Sequence, residues 1–208
     1  MEKPKRIFIA GTDTGVGKTR VCFLLADYLR AQGLRVVTQK WIQCGPDEGH
    51  DSVVYRFERE VSPHLAARLE NWKISGKKIL DSVDALDCDV AIVEGSGGVL
   101  VPYNEKNLMI DLIKMPVILV ARNRVGTINH TLLTIEALKQ RQVEILGIVL
   151  NQVDQDVPEA VLKDNPNVVQ RISKINSVAV NPHQLTLPHI ADLSHSAFGA
   201  WASRVLKR

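Results

Sequence analysis

Short apolar runs that end in glycine or an acid, separated by amphipathic stretches, constrain this chain more than any other feature. Arg6-Ile-Phe-Ile-Ala10 runs into Gly11, and Val90-Ala-Ile-Val93 runs into Glu94. Arg35–Trp41, Val117–Ala121 and Ile145–Leu150 repeat the pattern. A strand apolar on successive residues is buried on both faces, so such runs imply a parallel sheet covered by helices on each side. From Lys18, residues Val21, Leu24, Leu25, Tyr28 and Leu29 share one helical face, and Gly33 stands where a helix end favours positive φ. Helical patterns recur over 63–71 and 75–87 and through Ile128, Leu132, Ile135 and Leu138. The polar stretch 45–60 reads as a loop. Prolines 158, 166, 182 and 188 obscure the pattern until a helix suggested by Ile190, Leu193, Ala197 and Trp201. The expected fold class is α/β: three α/β/α layers around a mainly parallel central sheet, one domain over 1–208. Right-handed crossovers bring the loops that follow the strands to one edge, where such sheets bind ligands.

Composition removes several function classes. The chain has 208 residues, 45% hydrophobic and 24% charged, as in an ordinary globular domain. Twenty-six basic residues against 23 acidic leave +3 with no block of like charge, and aromatics are only 5%, so no nucleic-acid partner is expected. Apolar runs such as Pro116–Ala121 fall far short of the roughly 20 residues of a membrane span. The apolar stretch after Lys3, Lys5 and Arg6 is too short for a signal peptide. No membrane partner and a cytoplasmic location are the expectations. Cys22, Cys44 and Cys88 lie far apart without a CxxC pair, which reads as structural thiols.

The segment Gly11-Thr-Asp-Thr-Gly-Val-Gly-Lys-Thr19 joins the first strand to the first helix. The strict P-loop pattern GxxxxGK[ST] would need Gly at 12, where Thr12 stands. Gly15 and Gly17 still permit a tight turn that exposes backbone N–H groups at a helix N-terminus. Lys18 supplies a point charge for β- and γ-phosphates, and Thr19 a hydroxyl for Mg²⁺. The fold expectation thereby sharpens to a P-loop NTPase-like domain. Glu94, at the end of its apolar strand, suits a metal directly or through water, and Gly95-Ser-Gly-Gly98 lets backbone approach a ligand. Glu94 occupies the first glycine of a GxSxG elbow, so a hydrolase triad on Ser96 is disfavoured.

Lys40, closing the second strand, points into the same crevice as Lys18 and suits charge that develops in phosphoryl transfer. Cys44 reads as a substrate contact or a small buried thiol. Asp51 reads as a turn former or a metal ligand. Asn151-Gln-Val-Asp154 is similar to a guanine-reading [NT]KxD, but Gln152 replaces the lysine. Gly126-Thr-Ile-Asn-His130 opens a helix that can take an anion, or is a plain helix start capped by Thr127.

Taken together, GTDTGVGKT (11–19), the Lys40 to Gly45 segment, Ser62-Pro-His64, VEGSGG (93–98), GTINHTLLT (126–134) and Asn151 resemble the dethiobiotin synthetase family. The resemblance implies a seven-stranded parallel sheet, a homodimer, and ATP-dependent closure of a cyclic urea from 7,8-diaminopelargonic acid and CO₂ with Mg²⁺. It implies that Gly15, Val16, Gly17, Lys18, Thr19 and Arg20 wrap the phosphates. Glu94, Gly95, Ser96, Gly97, Asn151 and Gln152 would complete the nucleotide site, with Asn151 at the base. Thr19, Asp51 and Glu94 would serve the metal, and Lys40, Lys18 and Thr14 catalysis. Cys44, where the family usually has Ser or Thr, would touch substrate, and Thr127, Ile128 and Asn129 would meet the substrate carboxylate in the other subunit. No Gly-x-[hydrophobic]-Pro base clamp follows Val153. The alternative is a P-loop ATPase or GTPase switch of the partitioning or metal-delivery type. Such proteins often carry a further lysine early in the loop, where this chain has Thr12 and Thr14. A non-catalytic nucleotide-binding module is a third reading.

Overall fold

The computed structural model describes residues 4–175, 178–181 and Ser203. The helix expected around Ile190 to Trp201 lies outside the described residues. Seven strands form one sheet: β1 (Lys5–Gly11), β2 (Val36–Cys44), β3 (Ser52–Phe57), β4 (Val90–Gly98), β5 (Val117–Arg122), β6 (Ile145–Asn151) and β7 (Val178–Asn181). Their order is β3-β2-β4-β1-β5-β6-β7, and every pairing is parallel. The helices are α1 (Lys18–Arg30), α2 (Pro63–Leu69), α3 (Gly76–Asp84), α4 (Thr127–Gln140) and α5 (Glu159–Ser173).

Period-two alternation splits the core into two layers. Ile7 and Ile9 of β1 join Ile92, Ile118 and Val120 under α1, through Val21, Leu24, Leu25 and Leu29. Phe8 and Ala10 face the other way, toward Trp41, Ile79 of α3, Ile135 and Leu138 of α4 and Val169 of α5. Both layers are buried, which is why the strands are apolar at consecutive positions.

Three expectations are corrected. Residues 45–60 are not all loop, because Ser52–Phe57 pairs in parallel with β2. At this edge Tyr55 and Phe57 are buried while Arg56 is exposed, the alternation of a half-covered strand. The stretch past 154 contains α5, despite Pro166 in its interior. Proline lacks the N–H that would bond the Leu162 carbonyl. Asn123 Nδ2, at the end of β5, donates to that carbonyl at 3.1 Å, and Asn165 Nδ2 donates to Asn123 Oδ1 at 2.8 Å. Finally, α4 has Gly126, at φ 91°, as its N-cap, and Thr127 is already inside the helix.

Candidate active site

The turn after β1 closes because Gly17 adopts φ 88° and ends as the N-cap of α1. Any side chain there would be strained, and a Cβ would overlap the Asn151 side-chain amide. Asn151 Nδ2 donates to the Val16 carbonyl at 3.1 Å, so the end of β6 braces the loop from beneath. Gln152 follows it, half-buried. From the other side Arg122 Nε donates to the Gly15 carbonyl at 3.2 Å, and Arg122 Nη1 lies 3.4 Å from Asp154 Oδ1.

Inside that cradle Lys18 is 6% exposed and Nζ donates to the Asp13 carbonyl at 3.0 Å. Burial lowers its pKa to about 8, against the pull of Glu94, and nearby Lys40 adds to the lowering. Thr19 and Arg20 sit half-buried on the first turn of α1, and Thr14 lines the mouth.

Lys40 and Glu94 lie within β2 and β4 rather than at their tips. The sheet register places them side by side. Glu94 is fully buried and its Oε1 accepts from Lys40 Nζ and, at 3.0 Å, from Thr19 Oγ1. Glu48, on the loop after β2, joins them: its Oε2 accepts from Lys40 Nζ at 2.8 Å and from Thr19 Oγ1 at 3.2 Å. Burial works against the Lys40 ammonium, but Glu94 and Glu48 outweigh it and raise its pKa. Burial likewise works against the Glu94 carboxylate, and His50 and Lys40 together hold it below the usual carboxylate range.

These groups form the floor of a cavity of about 510 Å³, whose walls include Ile42, Cys44, Ser62, Pro63, Ser96 and Gly97. Ser96 Oγ donates to the Ile42 carbonyl, which ties the Gly-rich end of β4 to β2. Gly95 packs on Phe8 and Met109 rather than lining the cavity. Burial, then Glu70, push the Cys44 thiol up to about 11, so it offers a neutral S–H to the cavity.

Asp51 is placed away from this group. Its Oδ2 accepts from Arg30 Nη2 at 2.7 Å and from the backbone N and Oγ1 of Thr38, each at 2.8 Å. Three donors on one oxygen make it a brace between α1 and β2, and Glu48 is the loop acid that reaches Thr19. Sequence reading missed Glu48 and His50. The only signal was a run of acids and histidine in Gly45–Asp51, where spacing does not say which side chain turns inward. Thr127, Ile128 and Asn129 are not in the cavity. Thr127 borders a separate small cleft with Thr12, Asp13, Val16, Arg122 and His130. Close in sequence or space to that helix start, Val125, Leu133 and Leu100 are 76%, 61% and 50% exposed.

The loop, the two lysines and the sheet order can be set beside known proteins. A family model described as an AAA domain matches residues 5–196. A ParA family ATPase from Chlorobium tepidum TLS aligns over 99% of this chain and 92% of its own, with a TM-score of 0.59 at 12% identity. A chain of the MinC:MinD cell division complex of Aquifex aeolicus aligns over 98% and 94%, with a TM-score of 0.62 at 13% identity. Such likenesses concern the fold, and with the loop they define a P-loop nucleotide-binding domain. Relatives named ATP-dependent dethiobiotin synthetase BioD are far nearer in sequence. That of Anaeromyxobacter sp. (strain Fw109-5) is 37% identical over 90% of this chain and 92% of its own length. That of Lysinibacillus sphaericus (strain C3-41) is 35% identical over 84% and 91%. The chain belongs to the dethiobiotin synthetase family.

Proposed function

We propose that this protein is an ATP-dependent ligase that closes the cyclic urea of dethiobiotin from 7,8-diaminopelargonic acid and CO₂. One observation carries the reading. Lys18 from the phosphate loop and Lys40 from a different strand line one cavity with Glu94, and its wall also includes Cys44 and Ser62. A nucleotide on the loop and a second substrate along that wall would meet at Lys40.

One substrate amine takes up CO₂ as a carbamate. Its oxygen attacks the γ-phosphorus and ADP leaves. The second amine attacks the carbonyl of the carbamic–phosphoric anhydride and expels phosphate, closing the ring. No covalent enzyme intermediate is needed, so positioning and charge supply the acceleration. The N–H groups from Gly15 to Arg20 and the Lys18 ammonium hold the β- and γ-phosphates. Lys40 is kept charged by Glu94 and Glu48 and stands where charge shifts between carbamate, phosphorus and leaving group. Thr14 lines the mouth beside Gly97.

Thr19 Oγ1, Glu94 and Glu48 bring hard oxygens to one point, with Thr19 3.0 and 3.2 Å from the two carboxylates. That donor set would hold Mg²⁺, which would supply positive charge to the phosphates. Glu48 takes the place that Asp51 had in the sequence reading. Asn151 and Gln152 would meet the base.

Residues 1–208 act as one domain, and two chains act as a homodimer. Thr127, Ile128 and Asn129 at the start of α4 would hold the substrate carboxylate in the facing subunit, and exposed Val125, Leu133 and Leu100 would cover one another there. Cytoplasmic residence accords with three unpaired cysteines. Among the described residues no helix is long and apolar enough to cross a membrane. Labelled bicarbonate with diaminopelargonate and MgATP should place label in a cyclic urea. ATP hydrolysis without label in any product would overturn the ligase reading in favour of a switch ATPase.

A further inference from the structure

Behind Glu94 lie two buried side chains that the reaction does not use, Cys22 and His50. Cys22 on α1, His50 on the loop before β3, and Glu94 are all buried, and one ligand atom from each lies within 4.8 Å of the others. The His50 side chain is fully enclosed, and Nδ1 has no hydrogen-bond partner among the described residues. Its Nε2 pairs with Glu94 Oε2 at 3.0 Å. The two oxygens of Glu94 thus face different chemistry. Oε1 faces Thr19 and Lys40, and Oε2 faces the His50 imidazole.

We propose that Cys22, His50 and Oε2 of Glu94 form a binding site for a borderline-soft divalent cation such as Zn²⁺, distinct from the hard-oxygen site in front of Glu94. Thiolate, imidazole and carboxylate are the donor types that zinc takes, whereas Mg²⁺ wants an octahedron of oxygens. Ligand atoms around a tetrahedral zinc stand about 3.3–3.8 Å apart, from bond lengths of about 2.0–2.3 Å. Atoms no more than 4.8 Å apart reach that spacing by inward movements of about an ångström or less. Glu48 Oε2, 3.8 Å from His50 Nε2, is in reach of the fourth position, and its side chain is 40% exposed. The Phe23 ring packs on His50 at 5.0 Å between centroids and screens the imidazole on that side. Binding releases the thiol proton to solvent as the metal–sulfur bond forms. A cation there would draw Glu48 away from Lys40 and Thr19 and so restrain the phosphate-transfer site. The bland alternative is a buried His–Glu pair that only neutralises charge.

Co²⁺ and Zn²⁺ titrations of the full-length, nucleotide-free protein decide between them. The site predicts one tight Co²⁺ per chain with a thiolate charge-transfer absorption that excess Mg²⁺ does not abolish. Cys22→Ser should lose that absorption, and both Cys22→Ser and His50→Gln should weaken Zn²⁺ binding at least about tenfold. The double variant Cys44→Ala/Cys88→Ala should keep both properties. Absence of the absorption in the parent protein, its persistence in Cys22→Ser, or unchanged Zn²⁺ affinity in His50→Gln would overturn the proposal. Should Cys22→Ser fail to fold, His50→Gln alone decides. No substrate enters these titrations, so their outcome is independent of the labelled-bicarbonate test.

Discussion

The two openings at the carboxyl edge of the sheet differ in how much of their chemistry one chain supplies. At the β1–β2–β4 opening every buried charge has a partner from the same chain: Lys40 with Glu94 and Glu48, Lys18 with the Asp13 carbonyl. At the β5–α4 opening, Thr127 borders a small cleft, and apolar Val125 and Leu133 are exposed. Burying an uncompensated ammonium costs several kcal/mol, so the first opening must be assembled as the chain folds. Exposed apolar side chains carry no such demand, and they gain about 25 cal/mol for each Å² a partner covers. The first opening is self-contained. The second leaves apolar surface uncovered.

The most damaging way to break this contrast is Lys40→Ala. Its charge should count most where negative charge reorganises, so kcat should fall by about 10²–10³ while ATP binding changes little. Steady-state rates and an ATP titration on the same variant check this, and wild-type turnover would remove Lys40 from the site. Lys18→Ala removes a ground-state phosphate contact, so ATP affinity and turnover should fall together, affinity by about 10–100-fold. Loss of kcat alone would assign the two lysines the same role.

Leu133→Glu sharpens the other side. Two like charges set into a self-complementary apolar contact should shift the protein to monomer and cut activity about tenfold at assay concentrations. Light scattering that shows a fully active monomer in the unsubstituted protein would sink the dimer. The smallest effect concerns pH. Lys18 has a pKa lowered to about 8, so above that value it loses the charge that grips phosphate. ATP affinity should weaken about fivefold from pH 8 to 9, and in Lys18→Arg the dependence should flatten. A parent affinity that does not change across this range would show that Lys18 stays charged.

The self-contained opening was also the more legible in sequence. Gly15, Gly17, Lys18 and Thr19 are adjacent, and the strands that carry Lys40 and Glu94 announce themselves as apolar runs. What escaped depends on contacts across long separations. The brace that takes Asp51 comes from Arg30, on α1, and the inward turn of Glu48 and His50 is set by the charges they meet. The strand β3 hid within a polar stretch because only Tyr55 and Phe57 of its last three residues are buried. Helix α5 hid behind Pro166, whose cost is offset by Asn123, just past β5. None of these compensations has a local signature.

The central claim is that a complete site takes Lys40 from one chain and the start of α4 from the other. Mixing two inactive homodimers tests it directly, one carrying Lys40→Ala and one carrying Asn129→Asp, which sets a negative charge where the substrate carboxylate should dock. After subunit exchange, each mixed dimer holds one site with Lys40 and Asn129 both intact. The account predicts recovery to about a quarter of the unsubstituted activity at equal mixing, the share expected for random pairing under two-fold symmetry. A mixture that exchanges subunits yet stays as inactive as its components would show that both residues serve the site within one chain.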